Sequence, residues 1–180
     1  MSQFTIQFNG RQVLIRQGKE LFYKGQEDRS FRSNPEHSFL IHNLHNRPEL
    51  MVNQCRHFFS SSYDVITYQR ERKVFSMSQK SVFKGYWIIE DGKKLYEIYS
   101  HRRDKLSFYK NGMQVAAVPQ YRASTKTVIL NVDRSENVNL FLGIAIAFFG
   151  SYYRSFGDTI FFGHIGSEKK KNDPQWRAKS

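Results

Sequence analysis

Tyr86-Trp87-Ile88-Ile89-Glu90-Asp91-Gly92-Lys93-Lys94-Leu95-Tyr96-Glu97-Ile98-Tyr99 is the stretch on which the fold turns. Two runs of aromatic and β-branched residues flank Asp91-Gly92, a pair that accepts the positive φ a tight hairpin demands. The design repeats at once in Leu106-Ser107-Phe108-Tyr109, Asn111-Gly112 and Met113-Gln114-Val115-Ala116-Ala117-Val118. Pro119 has no N–H to donate and is predicted to end that pairing. Upstream, Tyr63-Asp64-Val65-Ile66-Thr67-Tyr68, a charged turn at Arg70-Glu71-Arg72, and Val74-Phe75-Ser76-Met77 fit the same scheme. Residues 63–118 therefore read as successive hairpins spaced by roughly twenty residues, with no room for helical crossovers. The expected fold is mainly β, an antiparallel sheet closed or nearly closed into a barrel.

Working outward, Phe4-Thr5-Ile6-Gln7-Phe8 alternates, Asn9-Gly10 turns, and Gln12-Val13-Leu14-Ile15 returns, giving a first hairpin. Lys126 to Val132 supplies a further strand. Residues 26–37 are polar and turn-rich and read as a loop. The next segment is open between two readings. Asn46 is a capping type, Pro48 suits a first helical turn, and Leu50, Met51, Cys55, Phe58 and Phe59 fit a helical face, while the same residues also make a strand.

Asp133, Ser135 and Asn137 are capping residue types, and Val138 to Tyr153 holds neither charge nor proline. That predicts a helix near 137–154, apolar on every side and hence buried in protein or in bilayer. Asn139 to Tyr153 would span about 22 Å against a hydrocarbon core of about 30 Å, so burial in protein is expected. Gly143, Ala147 and Gly150 make one side nearly bare, where a sheet wall can approach closely. Leu140, Phe141, Ile144, Phe148 and Phe149 fill the volume opposite.

Short repeated hairpins followed by one wholly apolar helix resemble the tubby C-terminal domain superfamily, which includes the LURP-one-related proteins and the phospholipid scramblases. The residues that carry the resemblance run through Met51-Val52-Asn53-Gln54-Cys55-Arg56-His57-Phe58-Phe59, Tyr63-Asp64-Val65, Lys73-Val74-Phe75-Ser76-Met77, Tyr86 to Gly92, and Leu140 to Phe149. It implies a closed barrel of about twelve strands around the apolar helix, and it makes residues 50–57 a strand. It also implies a binding role at phospholipid. No lipid-contacting residue of that group has a match here, and the chain departs from it by continuing past the helix through Thr159-Ile160-Phe161-Phe162.

With 16 Phe and 10 Tyr against 4 Pro, the 180-residue chain can build one sizeable core. One domain over residues 1–166 and a basic tail at 167–180 are expected, the tail disordered because it is charged and almost free of apolar side chains. The net charge of +12 attracts polyanions, nucleic acid or anionic membrane. A single cysteine, Cys55, excludes an intramolecular disulfide and a thiolate metal cluster. The first residues lack the basic and apolar pattern of a secretory signal, which points to a cytoplasmic protein, with peripheral membrane contact allowed.

His42 and His45 would face opposite sides of a strand, and no metal is expected. Cys55 and His57 would share a strand face, yet a nucleophile also needs an orienting group and an oxyanion site, and neither is visible. Serines 60–62 lack the Gly-x-Ser-x-Gly context of a nucleophile elbow, and no phosphate-cradling glycine loop occurs. The chain reads as non-enzymatic, without cofactor. Basic residues cluster at Arg70, Arg72 and Lys73, at Lys93 and Lys94, at Arg102, Arg103 and Lys105, and at Lys169, Lys170 and Lys171. If several of these turns share a rim, they form a surface suited to phosphate groups. Trp176, beside lysines and Arg177, suits a bilayer interface or a plain solvated tail. An anionic phospholipid surface is the leading partner. Nucleic acid rests on charge alone, with no helix-turn-helix, RNA-recognition or zinc-finger signature, and a protein partner is open.

Overall fold

The computed structural model describes residues 1–28, 35–57, 60–69, 71–81, 86–92, 94–101 and 105–151. Twelve strands precede one helix. They are β1 Ser2–Asn9, β2 Gln12–Gln17, β3 Glu20–Asp28, β4 Pro35–His42, β5 Pro48–His57, β6 Ser60–Thr67, β7 Lys73–Ser81, β8 Tyr86–Asp91, β9 Lys94–His101, β10 Lys105–Lys110, β11 Met113–Arg122 and β12 Thr127–Val132, followed by α1 Val138–Ser151. Each strand pairs antiparallel with the next, and β1 closes on β12 through Ser2↔Val132 to Gln7↔Thr127, so the sheet is a closed up-and-down barrel. Closure removes both sheet edges.

The hairpin turns sit where the sequence puts them. Gly10, Gly92 and the Asn111-Gly112 pair all take positive φ, the conformation tight reversals need. Pro119 does not end β11. The strand runs on to Arg122 with a slip in register between Ala117 and Gln120, so the proline occupies a bulge where no ladder donor is required. The segment read as a loop is also shorter than expected. β3 reaches Asp28 and β4 starts at Pro35, because Glu27↔Phe39 and Asp28↔Ser38 pairing, with the Ser38 hydroxyl on the Asp28 carbonyl at 3.1 Å, overrides a polar composition. Residues 48–57 are strand.

Asn137 caps α1, its Oδ1 accepting from the Asn139 and Leu140 amides at 3.1 and 3.3 Å. The helix then runs inside the barrel, since its side chains touch the wall all the way round. Phe141 meets Phe108 and Tyr96 edge-on at 5.5 and 6.1 Å, Phe148 meets Trp87 at 5.4 Å, and Phe149 stacks on Tyr121 at 4.9 Å. The bare side lies on the opposite wall. A methyl at Gly143 would run into Val65 of β6, and one at Gly150 would stand 2.9 Å from Phe39 and 3.3 Å from Phe8. Every residue from Asn139 to Gly150 is buried, which explains a helix with no polar face. No helix among the described residues is long and apolar enough to cross a membrane.

Alternating strand direction gives the barrel two distinct mouths. The lower mouth gathers the β2–β3, β4–β5, β6–β7, β8–β9 and β10–β11 turns and the start of α1. The upper mouth gathers the β1–β2 and β11–β12 turns and the end of α1.

Candidate functional site

The basic residues singled out in the sequence divide between the mouths. Arg72 and Lys73 lie at the lower mouth, both exposed, and Lys73 is engaged: its Nζ pairs with Asp91 at 3.3 Å and sits 5.6 Å from the Phe75 ring centroid. Lys94 opens β9 at the same mouth. Lys105 opens β10 at the upper mouth, half-buried opposite His101. Arg70, Lys93, Arg102, Arg103, Lys169, Lys170, Lys171 and Trp176 lie outside the described residues, as does the tail expected to be disordered. Arg72 and Lys73 thus share a rim with Lys94 and not with Lys105.

The lower mouth is close to charge balance. Within two residues of its turns, Arg16, Lys19, Arg47, Arg72, Lys73, Lys94, Lys110 and Arg134 stand among Glu20, Glu49, Glu71, Glu90, Asp91, Asp133 and Glu136. Lys110 holds Glu136 at 2.7 Å, with Glu136 almost wholly buried. The first polar turn of α1 fits here too. Asn139 is fully buried and donates to the Glu49 carbonyl at 3.4 Å, while Glu49 Oε1 accepts from Asn43 Nδ2 at 2.8 Å. Tyr23 stands with Glu49 and Asn139, and its hydroxyl pKa is raised by burial and then by the Glu49 charge. Asn43 also accepts from the His45 and Arg47 amides, which fixes the turn. This mouth is a closed polar plug.

The upper mouth is different. Among described side chains within two residues of it, Arg11, Lys80, Lys105, Arg122 and Lys126 face two acids, Glu27 and Asp28, and Glu27 is buried. Three of the cations stand on neighbouring hairpin tips. The Phe8 amide donates to the Lys126 carbonyl at 3.0 Å and the Glu27 amide to the Arg11 carbonyl at 2.8 Å, tying the β11–β12 turn, the β1–β2 turn and the end of β3 side by side. Lys105 follows on β10, next to β11. Arg11, Arg122 and Lys126 escaped the sequence reading because each is isolated in the chain; only closure of β1 on β12 gathers them.

The described residues hold 15 Lys and Arg against 12 Asp and Glu, so nine of the twelve net charges belong to residues outside them. The barrel wall is therefore nearly neutral. His42 closes β4 and His45 sits in the turn beyond it, and no three of His, Cys, Asp and Glu among the described residues form a metal-holding group. Cys55 and His57 are on β5, with nothing described of their side chains. No family model, curated protein or solved structure matches the chain.

Proposed function

We propose that this chain is a non-enzymatic binding domain that meets an anionic phospholipid surface peripherally through its upper mouth, in the cytoplasm. The observation that carries the reading is the arc of Arg11, Arg122, Lys126 and Lys105 on adjoining strands, with few acids to oppose it. Its own helix fills the lumen, the place where small barrels otherwise hold a ligand, so recognition falls to the outer rim. The resemblance to the tubby-like superfamily supports the same reading, since a barrel wrapped on an apolar helix agrees with what that resemblance implies.

The test is co-sedimentation with neutral, phosphatidylserine-containing and phosphoinositide-containing liposomes at about 150 mM salt, where exposed charges are screened beyond about 8 Å. Each rim cation near an anionic surface contributes roughly 1 kcal/mol, so replacing Arg11, Arg122 and Lys126 together with Ala lowers partition about a hundredfold. Sedimentation indifferent to lipid charge or to that replacement overturns the proposal. A gel shift with duplex DNA and single-stranded RNA at the same salt runs beside it, and retention of nucleic acid alone transfers the rim to a different polyanion.

A further inference from the structure

On a closed barrel, outward-facing side chains meet water unless something lies over them. β8, β9, β10 and β11 break that expectation. Tyr96, Trp87 and Phe108 point inward to α1, so strand alternation puts Tyr99, His101, Ile88 and Ser107 on the outside, with Ala117 level with Ser107. Yet Ser107 is 0%, Tyr99 3%, Ala117 6%, Ile88 7% and His101 9% exposed. On β7, by contrast, outward Val74, Ser76 and Ser78 are exposed. Ile66 on β6 is also buried, but its register partners Met51 and Val74 are partly open or exposed, so it is one position and not a patch.

The remaining described residues form the rest of the barrel, its turns and the axial helix, and none of these lies over the middle of an outer wall. The patch crosses four strands, about 14 Å at the usual strand spacing. The undescribed connections beside it, 82–85 and 102–104, are short and tethered to strand ends at the upper mouth. Residues 152–180 begin where α1 ends, at that same mouth, and carry Ile160, Phe161 and Phe162. The eight residues 152–159 reach up to about 26 Å when extended, enough to turn over the rim and descend to Tyr99.

We propose that the outer face of β8–β11, centred on Tyr99 and Ser107, is the docking site of the chain's own segment around Ile160, Phe161 and Phe162. The chemistry matches: the face is aromatic, with Tyr86 stacked on Tyr99 at 4.9 Å and Tyr109 edge-on to it at 5.7 Å. Two tyrosine hydroxyls already donate to Glu97 Oε1, from Tyr99 at 2.7 Å and Tyr86 at 3.2 Å, so ring faces rather than unmet polar atoms are offered to the segment.

Single-cysteine accessibility in the full chain tests this. With Cys55→Ser as background, a thiol reagent is expected to modify Ala117→Cys about tenfold or more slower than Val74→Cys, because labelling of a covered thiol waits on local opening. Replacing Ile160, Phe161 and Phe162 with Asp is expected to bring the two rates within about twofold. Equal rates in the parent, or a slow rate unmoved by the triple replacement, overturn the proposal. Should the triple variant not fold, a benzophenone attached at Ala117→Cys in an otherwise unchanged tail gives the same answer. Cross-linking within one chain to the tryptic peptide Ser155–Lys169 is expected; cross-linking only to a second chain or to other peptides overturns it.

Discussion

The two mouths of this barrel are made by the same alternation of strands and turns, yet one is closed by its own polar groups and the other is not. At the lower mouth the capping Asn137, the buried Asn139, Glu49 and Tyr23 fill the opening, and Lys110–Glu136 and Lys73–Asp91 pair cation with acid. At the upper mouth Arg11, Lys105, Arg122 and Lys126 have few acids to face. Charge spent on a neighbouring acid anchors the fold, whereas charge left facing solvent is available to a partner.

The helix axis is common to both mouths, and cutting it should produce the largest effect while leaving the comparison intact. Phe141→Ala removes a ring packed on Tyr96 and Phe108 at zero exposure and should cost about 3–5 kcal/mol in denaturant unfolding. A loss under about 1 kcal/mol would mean the lumen collapses around the gap, and the helix would not be the organising core. The triple replacement of Arg11, Arg122 and Lys126 should do the reverse, holding stability within roughly 0.5 kcal/mol while liposome partition falls about a hundredfold. If stability falls with it, those tips are structural and the contrast between the mouths fails.

Glu136→Gln sharpens the other side. It leaves the partly buried Lys110 ammonium without its carboxylate and should cost about 1–2 kcal/mol, less than a fully buried pair because Lys110 still reaches water, with no change in liposome partition. Chevron or equilibrium urea curves beside sedimentation would separate the two readouts.

How much of this was legible in the sequence depends on the range of the interaction. Hairpins at Asn9-Gly10, Asp91-Gly92 and Asn111-Gly112 are local, as is the apolar helix, and both were read directly. β3 and β4 were not. Leu21-Phe22-Tyr23 and Phe39-Leu40-Ile41 are short apolar runs beside polar ones, and they become strands through pairing with β2 and β5. Pro119 misled for the same reason: a bulge depends on what the partner strand needs. The lysine and arginine clusters chosen for adjacency in the chain were separated by strand alternation, and the upper arc is assembled from Arg11 and Arg122, distant in sequence and joined only by closure. Surface sites on a barrel are written in the strand order, not in the runs.

The smallest effect expected is the one that ties the upper mouth to the covered outer face. His101 lies beside Lys105, its Nε2 2.9 Å from the Ser107 hydroxyl, and its pKa is lowered, first by burial and then by the Lys105 charge. A lowered value means the folded protein keeps the ring neutral while the unfolded chain protonates below about 6.5. The stability this contributes is present in full above that pH and is lost as pH falls from there through the folded value. Urea unfolding at several pH values between 7.5 and 5 should show that decline, and His101→Gln should flatten it. The same ring reports on its cover. In the chain with Ile160, Phe161 and Phe162 replaced by Asp, burial is relieved, and the His101 titration followed by NMR should move up toward the ordinary value. A titration that stays low there would place the burial in the barrel itself and remove the tail from the outer face.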